Sequence, residues 1–216
     1  MSNHLKSQPM PKLYGHPMSG NSYKVKLFLN LLGIDHDWVT VDLLKGEHKQ
    51  PEFLKLNPFG QVPVLTDGDV VLADAQGSLV YLARKYDNNG SWLPTEPLAM
   101  AEVIRWLSIT TGEVRQGPES ARLYHLFGAK AINIERATEK ATFILNQLDQ
   151  QLSDHSWLVG STSTIADVAV FPYVALSPDG KIDLSPYPHV LSWIKRVKQL
   201  PGFVGMRGIE ALAVTA

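Results

Sequence analysis

Ser19, Asn21 and Ser22 lie within four residues of one another in HPMSGNSYKVKLFLNLLG (His16–Gly33). The stretch reads as the end of a strand, a turn with Gly and Pro, and then a helix. Such a turn delivers polar side chains to a helix N-terminus, where unpaired N–H groups carry partial positive charge. After Pro17 the turn has no His, Asp or Glu, and the chain has no cysteine at all. That excludes disulfides, thiolate metal sites and a protein thiol nucleophile. The chemistry left to the turn is hydrogen bonding. Ser and Asn before a helix ordinarily cap it, and the same groups could donate to a bound partner. A second polar pair, Thr164 and Asp167 in STIADVAV, has T-x-x-D spacing ahead of an apolar run. It is a capping box with Asp in place of Glu, and its expected role is structural.

The elements that must position these residues fall into two textures. Up to about Tyr86, short strands and helices alternate. Leu13-Tyr14 suggests a first strand. Val25, Phe28, Leu29 and Leu32 repeat at helical spacing, and Gly33 closes that helix. Trp38–Val41 is β-rich, and a short helix is expected around Pro51–Leu56. QVPVLTDGDVVL (Gln61–Leu72) reads as a hairpin around Asp67-Gly68. Asp74 caps a helix reaching Tyr86. The order β-α-β-α-β-β-α implies a mixed four-stranded sheet with helices packed on it. DNNGSWLPTEP (Asp87–Pro97) has the composition of a linker. Helices are expected beyond it over Ala99–Thr111, Ala129–Leu152 and Tyr187–Phe203, with another after the Thr164 cap within the stretch Gly160–Leu176. The expected organisation is a loose leader (1–11), an α/β domain (12–87), a linker (88–98) and an all-helical domain (99–216).

The chain has 216 residues, enough for one large or two small domains. It is 44% hydrophobic and 19% charged, with net charge −1, so no strong field attracts nucleic acid or an anionic membrane. No apolar run approaches the ~20 residues of a membrane span, and the N-terminus lacks an apolar signal core. The cytoplasm is the default location. No repeat or low-complexity tract is present, and nothing indicates a metal or a nucleotide.

From about Lys12 to Phe203 the sequence resembles the cytosolic glutathione transferase family. Four segments carry the resemblance: the serine turn PMSGNSYKV, the segment GEHKQPEFLKLNPFGQVPVL, the TDGD hairpin and the late STIADVAV helix. GEHK followed by NPFGQVP resembles the plant phi class and its bacterial relatives. The resemblance implies a thioredoxin-like N-terminal domain, an all-helical C-terminal domain and a homodimer. It also implies a use for a turn without cysteine, because the reactive sulfur belongs to bound glutathione. The protein must then lower that thiol's pKa, near ~8.5 for a free cysteine. Ser19 matches the activating serine, Asn21 is the rival for the sulfur, and Ser22 lies further into the helix.

The same resemblance assigns His48 and Lys49 to the glycyl carboxylate, although both also fit a solvated surface. Gln61, Val62 and Pro63 are implied to bind glutathione through a cis-proline that exposes the Val62 backbone. A plain strand start is the alternative reading. Asp74 is implied to face the γ-glutamyl part. The next residue departs from the family pattern: Ala75 stands where Ser or Thr is usual. The lost hydrogen bond to a charged group is worth ~1.5–3 kcal/mol, so weakened glutathione binding is expected, with Gln76 a candidate to compensate. Trp106, Thr110, Glu113 and Arg115, with Tyr124 and Phe127 further on, are candidates for a pocket holding a small apolar electrophile, and equally for core. Arg115 is the one that would draw an anionic substrate.

Three functions follow: thiolate conjugation, peroxide or disulfide reduction by the same thiolate, and a non-catalytic interaction module of the same fold. The implied dimer uses the third helix (75–86) and the first C-terminal helix (99–111), with Phe59 near by or in a local core.

Overall fold

The computed structural model of this protein describes residues 10–210, so residues 1–9 of the expected leader and the last six residues lie outside the description. The first half contains β1 (Lys12–Gly15), α1 (Gly20–Leu31), β2 (Asp37–Thr40), α2 (Pro51–Leu56), β3 (Val64–Asp67), β4 (Val70–Leu72) and α3 (Ala75–Tyr86). The strands form one mixed sheet in the order β2-β1-β3-β4. β1 and β2 are parallel, so the chain must cross over between them, and α1 is that crossover. β3 pairs antiparallel with both β1 and β4.

Strand alternation divides the sheet's two faces. Leu13 and Leu65 face each other in register and join the main core with Leu27, Leu79 and Leu82 of α1 and α3. Tyr14 and Val64 point the other way, onto a smaller cluster with Val41 and Phe53 of α2. Asp67, at the end of β3, accepts hydrogen bonds from Tyr81, Lys85 and Tyr86 of α3. Burial pulls this carboxyl up, but the three donors outweigh it and hold it below its ordinary range. The hairpin thereby anchors α3, whose N-terminus faces the site described below.

The second half is helical: α4 (Pro97–Ile109), α5 (Ser120–Phe127), α6 (Ile134–Asp154), α7 (Ile165–Ala175) and α8 (Pro188–Lys198). α7 is its spine. Every residue from Ile165 to Val174 is buried, as an apolar helix without a polar face requires. The expected capping box is present. Thr164 Oγ1 accepts from the Ala166 N–H at 3.2 Å, and Asp167 Oδ2 accepts from the Thr164 N–H at 2.9 Å. Asp167 also accepts from the Trp193 indole at 2.9 Å, tying α8 to the start of α7.

Three expected helices differ in extent. The helix expected over Ala99–Thr111 does not end there. After Ile109 the chain continues through Thr110–Glu119 in wide turns and runs directly into α5. Pro118 has no N–H to give, and Ser120 closes the widened turn by donating from both backbone and hydroxyl to the Arg115 carbonyl five residues back. Gly and Pro ordinarily interrupt a helix. Gly117 is instead a crossing point: a Cβ there would lie 2.7 Å from the backbone of Ala141 on α6. α6 begins at Ile134, not near Ala129, because Asn133 caps it by accepting from the Arg136 N–H at 2.9 Å. The final helix is the shorter Pro188–Lys198.

Among the described residues no helix is long and apolar enough to cross a membrane, and no group of three His, Cys, Asp or Glu side chains is arranged to hold a metal ion.

Candidate active site

α1 begins at Gly20, and Ser19 caps it. The Ser19 hydroxyl oxygen accepts from the Ser22 N–H at 3.1 Å, leaving its own proton free to be donated elsewhere. Gly20 lets the helix start press on α7, since a Cβ there would lie 2.7 Å from the Tyr173 ring. Ser22 is fully buried and accepts from the His16 N–H at 3.3 Å, so it is part of the turn's scaffold.

Asn21 is held from below. Lys24 Nζ donates to Asn21 Oδ1 at 2.8 Å. An ammonium can only donate, so this contact sets which way the amide faces. The amide nitrogen then donates to Glu119 Oε1 at 3.4 Å. Lys24 is 1% exposed and lies over the Tyr173 ring. Burial pulls its pKa down to about 8, against the opposing pull of Glu119 and Asp74. Burial pushes the Glu119 carboxyl up, with Lys24 and Arg115 opposing, and pushes the Tyr173 hydroxyl well up.

The turn opens onto a cavity of about 730 Å³ between the sheet half and the helical half. Ser19 and Asn21 line one side, and His48, Lys49, Gln61, Val62 and Pro63 line another. The Val62–Pro63 peptide is cis. Among the described residues the Val62 N–H and C=O take no hydrogen bond, so an edge of open backbone faces the cavity. Asn57 steadies this loop by donating to the Gln61 carbonyl at 2.7 Å. Lys49 Nζ donates to the Phe59 and Gly60 carbonyls at 3.1 and 2.9 Å, which brings its ammonium to the cavity rim. His48 Nδ1 is buried there without a partner.

The N-terminus of α3 closes this side. Asp74 caps it, accepting from the Gly77 N–H at 2.6 Å. Ala75 and Gln76 line the cavity beside Asp74, with Ala75 buried.

The helical half supplies the remaining wall, and there the structure sorts the candidates. Thr110, Arg115 and Phe127 line the cavity; Trp106, Glu113 and Tyr124 do not. Trp106 is 3% exposed and belongs to the core, because its side of α4 packs inward. Tyr124 pairs edge-on with His125, and Lys130 sits over its ring. The Thr110 hydroxyl donates to the Trp106 carbonyl at 2.8 Å. Glu119, Arg122 and Arg207 also line the cavity and were not anticipated. Glu119 and Arg122 sit near the turn only because α5 and the widened helix before it pack against Met18–Asn21, about a hundred residues earlier. No local motif marks that contact.

Comparison with known proteins identifies the family. A family model described as "Glutathione S-transferase, N-terminal domain" matches residues 10–84, and one described as "Glutathione S-transferase, C-terminal domain" matches residues 118–201. Glutathione S-transferase 3 of Zea mays is 34% identical over 203 residues, covering 89% of this chain and 90% of its own. A crystal structure of a glutathione S-transferase from Pseudomonas fluorescens superposes with a TM-score of 0.86 at 33% identity, over 91% of this chain and 98% of that one. A glutathione transferase homologue from Drosophila mojavensis, solved with bound glutathione, superposes with a TM-score of 0.82 at 30% identity, over 89% of each chain. The chain belongs to the glutathione S-transferase family.

Proposed function

We propose that this protein is a glutathione transferase in which Ser19 and the N-terminus of α1 hold the glutathione thiol as its thiolate. The thiolate attacks a small apolar electrophile held against the helical half. The observation that carries this reading is one cavity shared by a hydroxyl with a free proton, a helix N-terminus and the open Val62 backbone. An extended tripeptide can pair with that backbone like an added strand. Its cysteinyl sulfur would then lie near Ser19, where a donated hydrogen bond and the partial charge of α1 both favour the anion. In the same reading His48 and Lys49 take the glycyl carboxylate, and Gln61, Pro63 and Asp74 frame the rest. The α3 N-terminus takes the γ-glutamyl carboxylate with one donor fewer, because of Ala75.

Thiolate formation and proximity to the electrophile account for the rate. The thiol proton leaves to solvent, the sulfur's electron pair forms the new bond to the electrophilic carbon, and the leaving group departs with the electron pair of the bond that breaks. Conjugation is favoured over disulfide exchange because no protein cysteine is available to resolve a mixed disulfide. The same cavity disfavours a purely structural module, which has no need of an open strand edge beside a helix N-terminus.

Ser19→Ala is expected to lower kcat/KM with 1-chloro-2,4-dinitrobenzene about a hundredfold or more while the fold stays intact by circular dichroism. Retention of activity in Ser19→Ala together with its loss in Asn21→Ala would transfer the role to Asn21. We further propose a homodimer in the cytoplasm, where the reduced tripeptide is available. Its interface is formed by α3 and α4, with Phe59 beside it.

A further inference from the structure

We propose that the second substrate carries a carboxylate on the same small apolar body as its electrophilic carbon, and that Arg122, supported by Arg115 and Arg207, binds that group. This deepens the transferase reading and rests on it.

Arg122 is 1% exposed, yet it lines the cavity. Its Nε donates to Asp179 Oδ2 at 2.9 Å, and its Nη1 donates to the Met18 carbonyl at 2.9 Å. Nη2 is buried and has no partner. A buried cationic donor left unpaired is costly, and such groups in folded proteins ordinarily have a partner. The Met18 contact puts this guanidinium against the residue that precedes Ser19. An anion on Nη2 would therefore sit beside the turn to which the sulfur is assigned. The Phe127 ring covers the guanidinium, with its centroid 5.3 Å away. Phe127 is 47% exposed and itself lines the cavity, so it stands between the guanidinium and open space.

The surrounding charges favour an anion. Arg115 and Arg207 are exposed on the same wall and form no ion pair among the described residues. Two carboxylates line the cavity. Glu119 faces Asn21 and Lys24 and also feels the charge of Arg115, and Asp74 is committed to the α3 cap. In the transferase reading the carboxylates of glutathione are taken by His48, Lys49 and the α3 N-terminus. Asp179 pairs with Arg122 through Nε, so what is left to the second substrate is the unpartnered Nη2 of Arg122 with the exposed Arg115 and Arg207 near by. Leu123, Leu126 and Phe127 make the rest of that wall apolar, and Leu43 and Leu44 line the cavity from the sheet half. An apolar body with one planar carboxylate matches this combination, because a guanidinium pairs with a carboxylate in a fixed fork geometry.

The test compares 1-chloro-2,4-dinitrobenzene with 4-chloro-3-nitrobenzoate, in which a carboxylate replaces one nitro group. In both, the glutathione sulfur bonds to the ring carbon bearing chlorine, chloride leaves with the electron pair of the broken bond, and the thiol proton goes to solvent. Arg122→Gln is expected to lower the ratio of kcat/KM for the benzoate over the dinitrobenzene about ten- to hundredfold, mostly through KM. Arg115→Gln is expected to lower it severalfold. A ratio within twofold of wild type in both variants overturns the proposal.

Because Arg122 also holds Met18 and Asp179, calorimetric titration of the unmodified protein gives a second reading that needs no turnover. 4-Nitrobenzoate should bind at least tenfold more tightly than nitrobenzene, with an advantage that shrinks as salt rises. Equal binding overturns the proposal. Titration with glutathione separates the two readings. Failure to bind it sinks the transferase reading, whereas glutathione binding with indifference to the carboxylate sinks this inference alone.

Discussion

Ala75 stands where the family resemblance implies a Ser or Thr. Its side chain is buried at the first position of α3 and lines the cavity, so a hydroxyl added there would face the bound group and not solvent. Ala75→Ser is expected to tighten glutathione binding about tenfold or more, the worth of one added hydrogen bond to a carboxylate. Isothermal titration of both proteins checks this, and equal affinities would mean that Gln76 or the helix N–H groups already satisfy the anion. Asn21 shows the reverse dependence on context. Its position before a helix is legible in sequence, but the direction of its amide is set by Lys24 and Glu119. Ser19 differs again, because its cap bond uses only an acceptor lone pair and leaves the donor free. Capping and thiol activation are compatible in that one side chain.

At the scale of elements, the start of α7 combines a cap with a buried charge. Asp167 accepts hydrogen bonds from Thr164, Leu158 and Trp193 while 1% exposed. Burial nevertheless raises its pKa to about 6. A carboxyl whose folded pKa exceeds its unfolded value binds its proton more tightly in the folded state. Its contribution to stability is therefore complete below about pH 4 and declines as pH rises through about 6. Wild type should accordingly lose stability relative to Asp167→Asn between those values, by about 1–3 kcal/mol. Urea denaturation of both proteins at pH 4, 5, 6 and 7 measures this, and parallel pH profiles would show that the hydrogen bonds fully offset burial. The widened helix between α4 and α5 is the element least visible in sequence. Glycine and proline ordinarily interrupt helices, whereas here Gly117 serves a close crossing with α6 and Pro118 sits inside a wide turn.

At the scale of the whole molecule, several large apolar side chains remain exposed among the described residues. Phe59 is 80% exposed, Leu98 69% and Ile104 43%, the last two on α4. The proposed homodimer would cover these side chains, and a single chain is 23.9 kDa. Sedimentation equilibrium should return twice that mass, and Phe59→Ala should weaken association by about tenfold or more if this ring is an anchor. A monomeric mass at micromolar concentration would remove the dimer and leave Phe59 a surface residue.

Local signals determined a good deal about this protein. Strand alternation, helical spacing, the TDGD hairpin and the T-x-x-D cap are patterns written within a few residues of one another, and they set the mixed sheet and the helical half. The serine turn and the segment around Gln61–Pro63 were legible for the same reason, since each is a short backbone feature with its own composition. Tertiary structure decided what those features face. Trp106 and Arg115 lie on one continuous stretch of helix, yet the first is core and the second lines the cavity, because the widened turns between them and the packing on α6 and α7 set which side looks inward. Arg122 and Glu119 meet the serine turn from the far end of the chain. Their contacts depend on the packing of the two halves against each other, and no periodicity within a short window encodes a contact between segments a hundred residues apart.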